Sequence, residues 1–377
     1  MKYFIFPLSL LFFLFSCSRN NQDIETLAID IETSLFEREV SIYDIFSKIE
    51  VIALDDTYLI SNSIHTGEAY ITFDGDNFYI LDNSSYKVNV YTSDGRILYH
   101  SDKVGRGKGE YTMAYQIEYD PYDNKIEILN PMGKILRYNT DSLKFESELN
   151  FMGNPLSTHN FLHIKDSYIL YSAREDDKLY SLDNKTREVK SYGYSPEEYL
   201  RKYISPQSPF FYINHDPCIF RPYDGTIFRF DVGKHTLEPI IKWDFRKYQC
   251  RLKDIPPDKS AREYHDFILK YSKKHIAAFT NIKSTKNRLF ASVIFKGEIY
   301  TLYYNTSQNN YFFFNETSEG IKFLPELFYN DIMYKYADSS SLPDFIKKEL
   351  LDSHSQKEYD KIIKEDCSAI IKYTLKQ

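Results

Sequence analysis

The chain has 377 residues, with 47 Lys and Arg against 54 Asp and Glu, and 17% of it is aromatic, chiefly 34 Tyr and 28 Phe. So long and apolar a chain can bury a large core, which excludes global disorder. A net charge of −7 with no strongly basic tract argues against nucleic acid as the main partner. Only 13 glycines are present, about half the ~7% of an average chain, and the Tyr and Phe excess points to many half-buried, pleated strands.

Residues 1–16 begin with Met1-Lys2 and continue through a nearly unbroken apolar run from Tyr3 to Phe15. One positive charge, an apolar stretch of this length and then small Ser16 read as a secretory signal. The run is too short for a comfortable membrane span. It ends Leu14-Phe15-Ser16-Cys17, which resembles the lipobox of bacterial lipoproteins. The small residue before the cysteine and the apolar one three places before it both fit. The resemblance implies lipid attachment at Cys17 and anchoring to a membrane through that lipid. An ordinary signal peptide that happens to contain a cysteine is the plainer alternative. Residues 17–47 are assigned as a lipidated tether and N-terminal segment, Ser18 to Asp23 being its polar, flexible part. Ser18 rather than Asp follows Cys17, so the usual inner-membrane retention signal is missing and the outer membrane is the expected place, periplasmic or surface-facing.

From residue 48 onward the chain repeats. An apolar strand, a polar turn, a second alternating strand and an Asp, Asn or Gly turn recur five times. The units are Phe78–Gly95, Ile126–Asp141, Tyr168–Asn184, Cys218–Asp231 and Leu289–Leu302. Aligning Tyr91, Tyr138, Leu182, Phe230 and Leu302 gives steps of 47, 44, 48 and 72 residues. Three near-equal steps and one long step mean a repeated unit with one insertion. The insertion falls at about 256–276, where Tyr264, Phe267, Ile268 and Tyr271 recur at helical spacing after Pro256-Pro257-Asp258. A second helical stretch is expected at about 343–364.

A strand-built period near 45 residues, without alternating helices, is the mark of a four-stranded propeller blade. Five units read directly and a sixth assembled from Ile49–Leu54 and Ser368–Leu375 predict an all-β, six-bladed β-propeller over 48–377. Its last blade would be closed by the N- and C-terminal strands, which removes the open edges of a linear array. Two unrelated β-sandwiches are the competing architecture.

With the lipobox, the strand Lys48-Ile49-Glu50-Val51-Ile52-Ala53-Leu54, the segment Val104-Gly105-Arg106-Gly107-Lys108-Gly109-Glu110-Tyr111 and the ending Ala369–Lys376, the chain resembles the six-bladed β-propeller lipoproteins of Bacteroidales. These are related in fold to NHL and TolB-type propellers. The resemblance covers nearly the whole chain after residue 16. It departs at Lys108, where the pattern usually has Pro. It implies architecture and a cell-envelope address, and no common catalytic activity or cofactor.

The glycine-dense loop Gly105–Tyr111 does not fit a phosphate cradle, because strand-like Tyr115–Tyr119 follows it rather than a helix. Its glycines suit a tight crossing between blades, while Arg106, Lys108, Glu110 and Tyr111 are candidate ligand contacts. His159 and His163 lie on one face of a strand but too far apart to share a metal, so no metal site is expected. Cys218 beside His215 and Asp216 reads as a buried thiol rather than a nucleophile. Ser84-Ser85-Tyr86-Lys87 sits in a hairpin turn without a partner motif, and no G-x-S-x-G elbow occurs. Cys218, Cys250 and Cys367 show no zinc spacing; a Cys218–Cys250 disulfide and three buried thiols both remain open. Most aromatics should be packed between blades, with Tyr212, Tyr223, Tyr303 and Tyr304 as candidates for the rim or channel.

No catalytic constellation stands out, so the expected role is a non-enzymatic binding module that offers its axial face to a glycan, peptide or partner protein. A propeller-type polysaccharide hydrolase or lyase is one alternative. A structural subunit of an outer-membrane complex is the other.

Overall fold

The computed structural model describes residues 25–36, 39–58, 60, 70–151, 155, 157–172, 178–194, 208–223, 225–255 and 260–377. The lipobox, Cys17 and the polar tether lie outside these residues, as do Pro256-Pro257-Asp258. The described chain opens with β1 (Glu25–Ala28), α1 (Ile31–Phe36), α2 (Ile42–Ile45) and β2 (Phe46–Ala53). Five blades follow in sequence. The first is β3 (Tyr70–Phe73), β4 (Asn77–Leu81), β5 (Val88–Thr92) and β6 (Ile97–Ser101). The second is β7 (Gln116–Asp120), β8 (Lys125–Asn130), β9 (Lys134–Asn139) and β10 (Phe145–Asn150). The third is β11 (Thr158–Ile164), β12 (Ser167–Ser172), β13 (Leu179–Asp183) and β14 (Val189–Ser191). The fourth is β15 (Phe210–Ile213), β16 (Asp216–Phe220), β17 (Thr226–Asp231) and β18 (Thr236–Asp244). After α3 (Ala261–Ser272), the fifth is β19 (Ala278–Thr285), β20 (Arg288–Phe295), β21 (Glu298–Asn305) and β22 (Asn310–Phe314).

The sixth blade carries β23 (Leu327–Tyr329), β24 (Ile332–Ala337) and β25 (Ala369–Leu375), with β2 as its outermost strand. β2 and β25 are antiparallel, with Val51 opposite Ile371 and Ala53 opposite Ala369. The six-bladed propeller and its closure by strands from the two ends are therefore as the repeat predicts.

The repeat detected in the sequence corresponds to the second and third strand of each blade, and its aligned residues mark the seams. Tyr91 packs between blades one and six, Tyr138 between one and two, and Leu182 between two and three. Phe230 packs between three and four and Leu302 between four and five. Each is at most 3% exposed. The seams are thus where the aromatic excess goes: burying one such ring removes apolar area worth about 1.5–3 kcal/mol from water. Three of the four candidate rim tyrosines belong here too. Tyr223, Tyr303 and Tyr304 are 5%, 5% and 3% exposed, because both faces of β21 are covered by adjoining blades and Tyr223 is sealed by α3. Tyr212 alone of the four is open, at 36%.

The turns are also repeated. Asn139, Asp183, Asp231 and Asn305 each end the third strand of a blade, and each side-chain oxygen accepts backbone N–H groups two to five residues on. That local bonding is what favours Asp and Asn at these places.

The helices decorate the ring. In α3 the capping box of Ser260 and Glu263 fixes the start, and Tyr264 and Ile268 bury against Tyr223, Cys250 and Ile255. α4 (Leu342–Phe345) and α5 (Ser353–Glu365) fill the connection between β24 and β25, with α5 lying on β2. Among the described residues, no helix is long and apolar enough to cross a membrane.

One part of the N-terminal segment differs from a simple tether. From Glu25 it is a strap: β1 adds to β18 in parallel, making the fourth sheet five-stranded. Ile29 and Ile31 are buried in the seam of blades four and five, and α2 enters the core of the sixth blade through Ile42 and Ile45. Cys218, Cys250 and Cys367 are all buried thiols outside any disulfide, which resolves the open alternative in favour of thiols.

Candidate functional site

The first strand of every blade faces the axis. Such strands diverge from one another, so their seams are stitched by side chains. Gln116 Nε2 donates to Phe161 O (3.0 Å) and its Oε1 accepts from Phe161 N (2.8 Å). Thr72 Oγ1 accepts from Tyr119 N, Tyr212 Oη donates to His163 O, Ser284 Oγ donates to Tyr212 O, and Asn281 Nδ2 donates to Pro325 O. These contacts hold the channel wall in a fixed shape.

Within that wall lies a cavity of about 420 Å³, lined among others by Glu118, His163, Tyr212, Lys283, Glu326 and Phe328. A narrow space of about 60 Å³ continues along the axis past Gln116 and Asn281. Sharing Tyr212, His215, Ser284 and Phe328 with the larger cavity is a depression of about 700 Å³. Its wall is rich in amides: Asn214, Asn287, Asn305, Gln308 and Asn330, with Arg288 beside them. Both spaces open where the inner strands end.

The charges on the wall are balanced but strained by burial. Burial pushes the Glu118 carboxyl up, against the opposing influence of a hydrogen bond from Gln116 and the positive charge of Lys283. Lys335 is 2% exposed, pairs with Glu326 at 3.4 Å and lies 4.3 Å from the Phe345 ring centroid.

At the rim, between blades two and three, is a second polar group. His163 Nδ1 lies 3.3 Å from Asp120 Oδ1 and 3.2 Å from Glu127 Oε2. Arg137 reaches Asp120 at 2.7 Å, Asp123 at 2.7 Å and Glu127 at 3.1 Å. The Tyr168 hydroxyl donates to Glu127, and its ring stacks on His163. Burial opposes a charge on His163, but Asp120 and Glu127 outweigh it and push the imidazole up to about 9. The Asp120 carboxyl is held low by His163, the Tyr122 N–H and Arg137 despite burial, which acts the other way.

The residues singled out in the sequence fall elsewhere. Gly105–Tyr111 leads into the start of β7, the opposite end of the inner strands from the amide-lined depression. Gly107 N donates to Glu110 (2.7 Å), and a Cβ on Gly105 would stand 2.0 Å from that carboxylate. A side chain at Gly105 would displace the Glu110 carboxylate from its place against the loop. Tyr111 is buried, with its hydroxyl on Tyr86 O, while Arg106 and Lys108 are exposed. His159 packs edge-on against Tyr115 and is not part of the His163 group. The Cys218 thiol is pushed up to about 12 by burial, and Ser84 and Ser85 bond Asp82 within their turn. Sequence reasoning missed Glu118, Lys283 and the amide wall, since Asn in a turn carries no sign separating it from ordinary turn chemistry.

Residues 26–375 match the family described as "Domain of unknown function (DUF4934)". The chain belongs to this family. Among solved structures, the DUF4934 chain resembles a protein of Bacteroides fragilis, provisionally named as exported, with a TM-score of 0.74 and 18% identity over 94% of this chain and 100% of that one. It also resembles a member of the DUF4221 family from Bacteroides vulgatus, with a TM-score of 0.55 and 12% identity over 90% and 98% of the two chains. At such identities the likeness extends to the fold. No curated protein matches the DUF4934 chain.

Proposed function

We propose that this propeller is an exported, lipid-anchored binding module of the cell envelope that takes a glycan at the open ends of its inner strands. The observation that carries the reading is the pairing of an amide-rich depression with aromatic Tyr212, His215 and Phe328. A sugar hydroxyl both donates and accepts, and so does a carboxamide. Sugar C–H faces are apolar and lie well on aromatic rings, whose polar edges stay wet. Two adjoining concave spaces of this size suit an oligosaccharide better than one compact metabolite.

Support for the address is the apolar run to Phe15 and the Leu14-Phe15-Ser16-Cys17 motif, together with the exported designation of the B. fragilis relative. The polar tether and Ser18 favour the outer membrane. Replacing Cys17 by Ala should release the protein from the membrane fraction.

The ligand reading is tested with a glycan array using residues 18–377, followed by calorimetry on each hit. Asn287→Ala and Tyr212→Ala should weaken a true hit at least tenfold, whereas Arg106→Ala at the opposite end should not. Silence on the array, with a protein recovered by crosslinking in membranes, would replace the glycan by a protein partner.

A further inference from the structure

We infer that Asp120, Glu127 and His163 form a binding site for one divalent transition-metal ion, with Zn²⁺ as the natural probe. The donor atoms Asp120 Oδ1, Glu127 Oε2 and His163 Nδ1 all lie within 4.8 Å of one another. The two distances from Nδ1, 3.3 and 3.2 Å, equal the edge of about 3.3 Å that a tetrahedral ion with bonds of 2.0–2.1 Å requires.

The distances alone would equally suit an ion pair. The directions do not. His163 Nδ1 and Glu127 Oε2 are sealed from solvent and make no hydrogen bond, to each other or to any other group, although their side chains are only 7% and 0% exposed. Buried polar atoms are almost always partnered. Two that lie at this spacing without bonding leave a place between them that a cation can bridge.

The atoms behind the donors are bonded as a metal site needs. His163 Nε2 faces Lys165 O at 3.3 Å, which keeps a proton on Nε2, so that Nδ1 coordinates once the ion has displaced the Nδ1 proton. Arg137 Nη2 donates to the outer oxygen Asp120 Oδ2 and its Nε lies 3.1 Å from Glu127 Oε1, to which the Tyr168 hydroxyl donates. Asp120 Oδ1 is oriented by the Tyr122 N–H at 2.8 Å. Outer partners of this kind fix the tautomer and aim of each ligand. The charges also close: with His163 neutral after losing its Nδ1 proton, Asp120, Asp123 and Glu127 against Arg137 leave two negative charges, which one divalent cation neutralises.

The elements explain why the group assembles. Asp120 ends β7, Glu127 is on β8 and Arg137 on β9, side by side in one sheet, while His163 comes from β11 of the next blade. His163 also lines the axial cavity, so the group borders that space.

The test uses residues 18–377, stripped with chelator and titrated with Zn²⁺ by calorimetry, with Co²⁺ absorption as a second readout. The expected result is one Zn²⁺ per chain, a Co²⁺ spectrum of tetrahedral type and a higher melting temperature with Zn²⁺. His163→Ala and Glu127→Gln should bind at least about 100-fold more weakly, and Tyr168→Phe about tenfold more weakly; His159→Ala should bind as the parent does. Circular dichroism checks that each variant is folded. If the variants do not fold, the parent decides: no stoichiometric Zn²⁺ or no tetrahedral Co²⁺ spectrum overturns the site. Unchanged binding in a folded His163→Ala variant overturns it as well, and leaves an ion-pair network joining the two blades.

Discussion

Val51 lies opposite Ile371 in the closing sheet, one from the strand β2 near the start and the other from β25 at the end of the chain. Ile371 is completely buried and shares a core with Val51, Phe46 and Tyr373. The ring therefore has no free edge, and each seam depends on the others. Ile371→Ala should cost about 2–5 kcal/mol through the lost methylenes and the cavity left behind. Urea unfolding followed by two probes should show one shifted transition. A separate early loss of the sixth blade would contradict cooperative closure.

Tyr138 tests whether the repeated aromatic is packing rather than recognition. Its ring is 1% exposed, and its hydroxyl donates to Gly109 O at 3.1 Å. Tyr138→Phe should cost about 0.5–1.5 kcal/mol for the hydrogen bond, and Tyr138→Ala about 3–5 kcal/mol for the ring. Denaturant midpoints measure both. Equal effects of the two changes would mean that the ring contributes little to the seam.

The repeat was legible because the second and third strands of each blade are its most apolar and most evenly spaced part, and Tyr91, Tyr138, Leu182, Phe230 and Leu302 keep one register. The closing pair was legible for the same reason. Inner strands vary from three residues in β23 to eight in β19 and carry no common period, so the cavity wall could not be read. Nor could the Asp120, Glu127, Arg137 and His163 group. Its members are cross-strand and cross-blade neighbours, and their meeting depends on hydrogen-bond register, not on spacing along the chain. The strap was hidden differently: Glu25–Ala28 is brief and polar, and joins the ring only because β18 leaves an edge to pair with.

Glu118 gives a pH dependence. Burial raises its carboxyl above the ordinary range, so the folded chain holds that proton to higher pH than the unfolded chain does. Between the two values the native state binds more protons, and stability falls as pH rises through that window. Glu118→Gln removes the penalty. The variant should match or exceed the parent at neutral pH, and the difference should disappear near about pH 3, where both states are protonated. Urea unfolding across this range measures it; a variant less stable than the parent at neutral pH would show that Lys283 and Gln116 outweigh burial.

The cysteines should be silent in the native protein. Cys218 is fully buried with its thiol pushed up to about 12, Cys367 is buried with its thiol also raised by burial, and Cys250 is buried. In residues 18–377, a thiol reagent at mild alkaline pH should modify none of the three until denaturant is added, and then all three. The thiolate is the reactive species, and these sites disfavour it. Fewer than three thiols on unfolding would reveal a disulfide.

Glu319 tests whether the N-terminal strap belongs to the folded unit. Its carboxylate accepts from Ser41 Oγ and from the Ile42 N–H at 3.1 Å, at the start of α2. The contacts from Ser41 and Ile42 hold that carboxyl below its ordinary range, although burial acts in the opposite direction. Ser41 also caps α2 itself by accepting from Tyr43 N, so losing Glu319 loosens the helix start and the strap beside it. Glu319→Ala should cost about 1–2 kcal/mol, the size of a lost helix cap or charged hydrogen bond. The same change should speed proteolysis between residues 25 and 45 relative to the parent. That contribution is present above the ordinary carboxylate value and is lost as pH falls through the lowered one. The parent and variant should therefore converge in acid. A variant equally stable and equally protected at neutral pH would mean that Ile29, Ile31 and Ile42 hold the strap by apolar contact alone.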